Sequence, residues 1–335
     1  MNLAFRVDSS NLIGAGHVRR CLKLAEDLRY KCNKIIFITK DLKNNFNDLI
    51  KKKKFKLVLI KRSRAKKNIF QDLNATKKIC KKHAIDILVK DHYHLNSDWE
   101  KRIKRNINRL VVIDDFTKKK HHCDIIFNNL NNKNINKTKH YFGLEFVIIP
   151  SRLNKKKIKK KDTTIGTFFG SSDNANCTKS FLRIFSQKEF NKFQFISILG
   201  KNNNNKKTKK KIFKMKRNLK IVENYKKISD FINQIDILIS SGGITSFEAL
   251  FLNKRCINVP INFYQKTNSN FQKKMKISRI FNYSSIFKKK RKQILLNLLF
   301  KKSNKNHFND NKLYLDEKGS KRISEILIPS KFEDS

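Results

Sequence analysis

Glycine, proline and tryptophan are scarce in this chain, at nine, three and one among 335 residues. Average usage would supply far more glycine. A chain this poor in glycine keeps it where the backbone must approach a ligand or take a positive φ. No apolar run approaches the ~20 residues that span a bilayer, so no membrane span is expected. The six cysteines, at 21, 32, 80, 123, 177 and 256, include no Cys-x-x-Cys pair. That argues against a zinc ribbon or a disulfide framework and fits a reducing cytoplasm. The N-terminus runs directly into a strand pattern without a cleavable leader. The expectation is a soluble, cytoplasmic monomer.

Acidic residues are also few. Asp and Glu total 27 against 78 Lys and Arg, a formal charge of +51. Such a charge first points to nucleic acid. The lysines, however, recur at 51–54, 118–120, 155–161, 206–211 and 288–292, and the runs at 51–54, 155–161 and 206–211 contain no aromatic residue. Lys, Asn, Ile and Phe are heavily used throughout, a compositional drift expressed on tolerant surfaces. Most of the charge is read as solvated helix faces and loop tips, with no specific nucleic-acid partner.

What is present is a repeated alternation of short apolar strands and helices, which implies parallel, doubly wound sheets. Strands are expected at 3–7, 34–39, 55–60, 85–91, 110–115 and 123–127, with helices from His17, at 41–53 and at 68–83. Pro150 and the basic run 155–161 mark a boundary. A second series follows, with strands at 163–170, 193–200, 219–222, 235–241 and 255–260. Its helices are expected at 174–187, 206–216, 245–252, 290–302 and 312–327. The length accommodates two domains, placed at 1–152 and 163–330. Ligands of such sheets bind beyond the carboxyl ends of the strands, where Asp8-Ser9-Ser10, Asp91-His92-Tyr93, Asp114-Asp115 and His121-His122 collect.

Six glycines fall in three short stretches: Gly14 and Gly16, Gly166 and Gly170, Gly242 and Gly243. In the first, a strand leads through a glycine turn into a helix that begins near His17. Free N–H groups and the helix dipole make this an anion site. His17, on the first turn, is a candidate general base; the alternative is a polar residue touching only solvent. Ser240-Ser-Gly-Gly-Ile-Thr-Ser-Phe-Glu248 places a second helix N-terminus beside a Gly-Gly turn. There Thr245 and the N–H groups suit phosphate, and Glu248 suits the two vicinal ribose hydroxyls. The alternative for Glu248 is a helix-dipole residue. Gly170-Ser-Ser-Asp173 is a weaker nucleotide loop, with Asp173 as an ordinary N-cap the competing reading. Asp91-His92-Tyr93-His94, with His121-His122 and Asp114-Asp115, offers metal-type ligands. Adjacent histidines do not easily face one ion, and a pocket-lining Tyr93 is preferred; no metal and no cofactor are assigned.

These residues resemble a family. Phe5-Arg6-x-Asp8-Ser-Ser, Ile-Gly14-x-Gly16-His17-x-x-Arg20 and Leu-x-Leu-Ala25 look like the opening of the UDP-2,4-diacetamido-2,4,6-trideoxy-β-L-altropyranose hydrolases of pseudaminic acid biosynthesis. Asp91-His-Tyr93, Asp114-Asp115, His121-His-Cys-Asp-Ile125 with Asn128, Gly170-x-x-Asp173-x-x-Asn176-x-Thr178 and Glu248-Ala-Leu250 match further, in family order. The resemblance implies two Rossmann-like α/β domains of GT-B type facing a central cleft, with UDP held mainly by the second. It implies hydrolysis at the anomeric carbon, releasing UDP with inversion and without a metal. It makes His17 the catalytic histidine and Tyr93 its neighbour at the sugar. Arg6, Asp8, Gly14, Gly16, Arg20, Asp91, Gly170, Asp173, Asn176, Gly242, Gly243, Thr245 and Glu248 become the UDP-sugar contacts. An inverting UDP-sugar glycosyltransferase of the same fold is the alternative, with an acceptor alcohol in place of water.

Overall fold

The computed structural model describes residues 1–61, 69–115, 120–128, 139–150, 152–154, 162–200, 218–223, 227–300 and 315–329. The chain divides into two units, one of Met1–Pro150 with Tyr314–Ser335 and the other of Ser151–Leu313.

In the first unit β1 (Asn2–Val7), α1 (Gly16–Leu28), β2 (Lys34–Lys40), α2 (Asp48–Lys52), β3 (Lys56–Ile60) and α3 (Ile69–Lys82) are followed by β4 (Ile87–Asp91), α4 (Ser97–Lys104), β5 (Arg109–Ile113), β6 (Ile125–Asn128) and β7 (Lys139–Phe142). The strands form one parallel sheet in the order β3-β2-β1-β4-β5-β6-β7. The order reverses between β1 and β4, so their carboxyl ends open the crevice where a ligand can enter.

Strand parity divides this sheet into two faces. Leu3, Phe5, Val7, Val89, Val111 and Ile113 face Val18, Cys21, Leu22, Ala25 and Leu28, the apolar stripe of α1. Ala4, Leu88, Leu110 and Val112 face the opposite way, onto Leu73 and Cys80 of α3 and Trp99 and Ile103 of α4. Each such large side chain contributes about 1.5–3 kcal/mol on burial, and Phe5→Ala would remove the centre of the α1 face at a cost of roughly 3–5 kcal/mol.

The second unit contains β8 (Thr164–Phe168), α5 (Cys177–Phe185), β9 (Gln194–Leu199), β10 (Leu219–Glu223), α6 (Ile228–Asn233) and β11 (Ile237–Ser240). After them come α7 (Ile244–Phe251), β12 (Arg255–Asn258), α8 (Phe263–Lys274), β13 (Arg279–Ile280) and α9 (Arg291–Phe300). Its parallel sheet runs β10-β9-β8-β11-β12-β13. Phenylalanines fill its core: the rings of Phe185 and Phe195 stack at 4.1 Å, and Phe181 meets Phe281 edge-on at 5.5 Å. Gly166, expected in a ligand loop, instead lies inside β8. A Cβ there would stand 2.6 Å from Ile235 Cγ2, so the glycine admits a close side chain rather than a ligand.

The last helix, α10 (Gly319–Leu327), corrects the expected span of the second domain, 163–330. It packs on α1, burying Ile323 and Leu327 in the first unit's core. Ser320 Oγ donates to Asp27 Oδ2, and Arg109 Nη1 donates to Leu327 O at 3.1 Å. Other differences are local. The helix expected over 41–53 is confined to α2, and α4, β7, α6, α8 and β13 have no counterpart in the sequence expectations. The helix expected at 206–216 lies outside the described residues.

Candidate active site

The carboxyl ends of β1, β4 and β5 set Asp8, Asp91, Asp114 and Asp115 along one edge of the first sheet. The parity of the strands then sorts their neighbours. Asp91, Tyr93 and Asp115 point to the α1 side, where His17 and Arg20 stand on the first turns of that helix. His17 Nδ1 lies 2.6 Å from Asp91 Oδ1. Arg20 donates from Nε to Asp91 Oδ2 and from Nη2 to Oδ1, both at 2.6 Å, and from Nη1 to both oxygens of Asp115 at 2.9 Å. Tyr93 OH donates to Asp115 Oδ2, and its ring meets the His17 imidazole edge-on at 4.5 Å.

This arrangement fixes the tautomer of His17. Burial alone would raise the Asp91 carboxyl, but the charges and hydrogen bonds of Arg20 and His17 hold it well below the usual carboxylate range. Asp91 is therefore an acceptor only, and His17 Nδ1 must carry the proton between them. The 3.3 Å approach of Arg20 Nη2 to Nδ1 is then a contact of two donors that share Asp91. In the neutral ring Nε2 then carries the lone pair, and among the described residues it has no hydrogen-bond partner. A base oriented by a buried carboxylate is the pattern of activated nucleophile chemistry. Asp91, expected to touch substrate, is 1% exposed, with its oxygens engaged by His17 and Arg20. Asp115, set at the ligand-binding strand ends by the sequence but given no role there, joins Arg20 to Tyr93. Strand parity beyond β5 was the signal for it.

The opposite side of the same strand ends is a buttress. Arg6, expected among the substrate contacts, is fully buried. It donates from Nη1 and Nη2 to the two oxygens of Asp8, at 2.5 and 3.0 Å, and from Nε to Asp72 Oδ1 at 3.2 Å. Asp8, also expected at the substrate, is buried too. It accepts the Lys40 backbone N–H at 2.7 Å and lies 3.0 Å from His92 Nε2. His92 Nδ1 accepts the backbone N–H groups of His94 and Leu95, each at 3.2 Å. That ring is neutral with its proton on Nε2, and burial pushes its pKa down to about 4 against the pull of Asp8. It fixes the turn that carries Tyr93.

A second buttress cluster surrounds His121. Its Nδ1 lies 2.9 Å from Glu100 Oε1 and its Nε2 3.0 Å from Asp114 Oδ2. Glu100 also accepts from Lys90 Nζ and from the backbone N–H of His122, the latter at 2.7 Å. Burial works against the imidazolium, but two carboxylates outweigh it and raise the His121 pKa. Glu100 is held down to about 2, its burial overcome by His121 and Lys90. Among the described residues no group of three or more His, Cys, Asp or Glu side chains is arranged to hold a metal ion.

The sequence-selected residues of the second unit gather at the carboxyl ends of β8 and β11. Gly242 has φ +78°, and a Cβ there would meet Ser269 Oγ at 2.2 Å. Gly243 is the N-cap of α7, so that helix begins without a side-chain cap. Asn268 Nδ2 donates to Gly242 O at 2.5 Å, tying α8 to the turn. Thr245 lies in the first turn of α7, and Glu248, one turn on, is 2% exposed. Gly170, at φ +81°, has open space where its Cβ would be. Asp173 is not the N-cap of α5, which is Asn176, but its two oxygens accept the backbone N–H groups of Cys177 and Thr178, at 2.8 and 3.0 Å. That carboxylate occupies the α5 donors an anion would need. Asn176 takes a left-handed backbone at the start of α5.

Residues 167–325 match the glycosyltransferase family 28 C-terminal domain. An uncharacterized protein of Methanocaldococcus jannaschii is 30% identical over 279 residues, 75% of this chain. The chain spans only about half of that relative, 54% of its length. The UDP-2,4-diacetamido-2,4,6-trideoxy-β-L-altropyranose hydrolase of Campylobacter jejuni is 27% identical over 266 residues, covering 75% of this chain and 89% of its own. MurG of Acinetobacter baumannii superposes with a TM-score of 0.67 at 14% identity, over 89% of this chain and 91% of that one. The fold is GT-B: two parallel α/β sheets of seven and six strands.

Proposed function

We propose that the protein hydrolyses a UDP-linked diacetamido-trideoxy sugar at its anomeric carbon, releasing UDP and free sugar. The observation that carries this reading is the Asp91–His17 pair, which leaves Nε2 as a directed acceptor on the first turn of α1. Nε2 takes a proton from water as the water oxygen bonds to the anomeric carbon. The bond from that carbon to the diphosphate oxygen breaks, and UDP leaves with the electron pair. UDP binding is assigned to the second unit, where the uncapped N-terminus of α7, with Gly242, Gly243 and Thr245, suits a diphosphate and Glu248 suits the ribose hydroxyls. Tyr93 and Arg20 line the sugar side. The Campylobacter relative, named for this reaction, supports the choice of water and of sugar.

A second reading is favoured by the match of 167–325 to a glycosyltransferase domain. There an acceptor hydroxyl replaces water and His17 deprotonates it. NMR of the purified protein with the UDP-sugar and no acceptor separates the two. Stoichiometric free sugar and UDP are expected; an unchanged UDP-sugar that is consumed only when an alcohol acceptor is added would give the transferase.

A further inference from the structure

Asp114 and Asp115 leave β5 on opposite faces, and each is gripped by a different cluster. Asp115 is held on the α1 side by Arg20 and Tyr93. Asp114 is held on the α4 side by His121 Nε2, while its backbone N–H donates to Phe127 O at 3.0 Å. His121 in turn is anchored through Nδ1 to Glu100 on α4. A ring with a carboxylate at each nitrogen donates twice and has a single orientation.

We infer that His121 is a positioning residue for the active site: its ring bridges Glu100 to Asp114 and so fixes the backbone from which Asp115 reaches Arg20 and Tyr93. The chain of contacts is short: hydrogen bonds between buried or nearly buried groups on each side of the Asp114–Asp115 peptide link. His121 touches no reacting atom in the proposed reaction. It acts through Asp115 on the two side chains that flank His17, Arg20 by sharing Asp91 and Tyr93 by its edge-on ring contact. The charged groups that face the His121 ring are Glu100 from α4 and Asp114 from the end of β5. Lys90 of β4 sits on Glu100, and the pKa of His140 of β7 is lowered by burial and, to a smaller extent, by the charge of His121. Loss of the ring proton removes one of the two donations, so the bridge is complete only while the ring is charged.

This inference rests on the proposed hydrolysis only for its kinetic arm. His121→Gln keeps one donor and removes the bridge. It is expected to lower kcat roughly 10–100-fold, the scale of a sub-ångström to ångström misplacement, with the calorimetric affinity for UDP unchanged. The alkaline fall of the wild-type profile that follows His121 deprotonation should disappear. In an Asp115→Asn background the same substitution should cost little more, since both act on one linkage. Glu100→Gln/His121→Gln restores the charge balance around Lys90 and guards against a fold defect. If this double variant is as stable as the wild type yet remains slow, the positioning role stands; wild-type turnover in it reduces His121 to charge balance and overturns the proposal. The spectroscopic arm needs no substrate: ring nitrogen NMR should show His121 doubly protonated and His17 protonated at Nδ1. The His17 pattern should blur in His121→Gln. An unchanged His17 pattern overturns the inference, whatever the reaction proves to be.

Discussion

His92 and His121 are two half-buried histidines on one edge of one sheet, and their surroundings shift their pKa values in opposite directions. The cause is the local charge count. Asp8, beside His92, is already neutralised by Arg6, and Lys40 meets Asp72 at 3.0 Å. A second proton on His92 would add an uncompensated cation where burial penalises it. Among the described residues the two carboxylates beside His121 have Lys90 as their other cation, and together they favour the charged ring. Position in the sheet edge does not decide the matter; the company does.

Stability should therefore fall on both sides of neutrality for different reasons. The His92 pKa is lowered from 6.5 to about 4 in the folded protein, so the unfolded chain binds protons first as pH falls. Its contribution is complete above 6.5 and is lost on the way to 4, on the order of 3 kcal/mol. Glu100, held at about 2, adds a further loss below its ordinary value near 4.5. His121 is shifted upward, so its contribution is full below 6.5 and is lost as pH rises through the folded value. Urea unfolding across pH 2–9 measures this. His92→Asn, which keeps an acceptor for the turn, should flatten the acid side, and His121→Gln the alkaline side.

His17→Ala is expected to reduce kcat by ~10²–10⁴-fold, the usual share of a general base, while UDP affinity stays as it was. Asp91→Asn should act in the same direction and also lower stability, because Arg20 loses the charge that holds it. Steady-state kinetics with parallel calorimetry checks both. Wild-type turnover in His17→Ala removes the histidine from the mechanism.

Glu248→Ala should weaken UDP binding by about 1.5–3 kcal/mol, the range for hydrogen bonds to a charged group. An unchanged calorimetric affinity returns Glu248 to the role of a residue that complements the helix dipole. Gly242→Ala should lose both stability and UDP, since its Cβ meets Ser269 Oγ and its φ is positive.

Leu327→Ala and Ile323→Ala should each cost about 2–5 kcal/mol in the first unit, although both lie beyond the second unit in sequence. Denaturant unfolding followed by Trp99 fluorescence reports this directly, because that tryptophan is the chain's single one and is buried against α4's side of the first sheet.

The net charge of +51 should give weak duplex binding at low salt and little near ~0.15 M, since released counterions drive it. UDP binding through oriented N–H groups should persist across that range. Titration of labelled DNA and of UDP at two salt concentrations makes the comparison. Site-selective nucleic-acid binding at the higher salt, without UDP affinity, would overturn the enzyme reading.

Much of the first unit is legible in the sequence because its signals are local. Apolar strands, the Gly14–Gly16 turn and the α1 stripe all lie within one helical turn or one strand of each other. The role of Asp91 is not legible, because its partner His17 is far away in the chain and only the β1–β4 pairing brings them together. α8 escapes a periodicity search for another reason: the residues it buries are Asn268, Ser269 and Gln272, all polar. Gln272 Nε2 donates to Ser246 Oγ and its Oε1 accepts from Asn258, so the helix is seated by hydrogen bonds rather than by an apolar stripe. α4 is short and charged, with Glu100 turned inward as an ion-pair partner. The pattern of α10 is readable, yet nothing within it says which sheet it covers.

The return of α10 to the first unit has a consequence during synthesis. The internal unit, 151–313, leaves the ribosome as one uninterrupted segment and has all its own strands in hand when it emerges. The first unit begins earlier but lacks α10 until that whole segment has been translated. At ribosomal speeds of ~5–20 residues per second the delay is on the order of ten to thirty seconds. Through that interval the flank of α1 destined for Ile323 and Leu327 stands open, so the unit whose strands emerge before the internal one is completed after it.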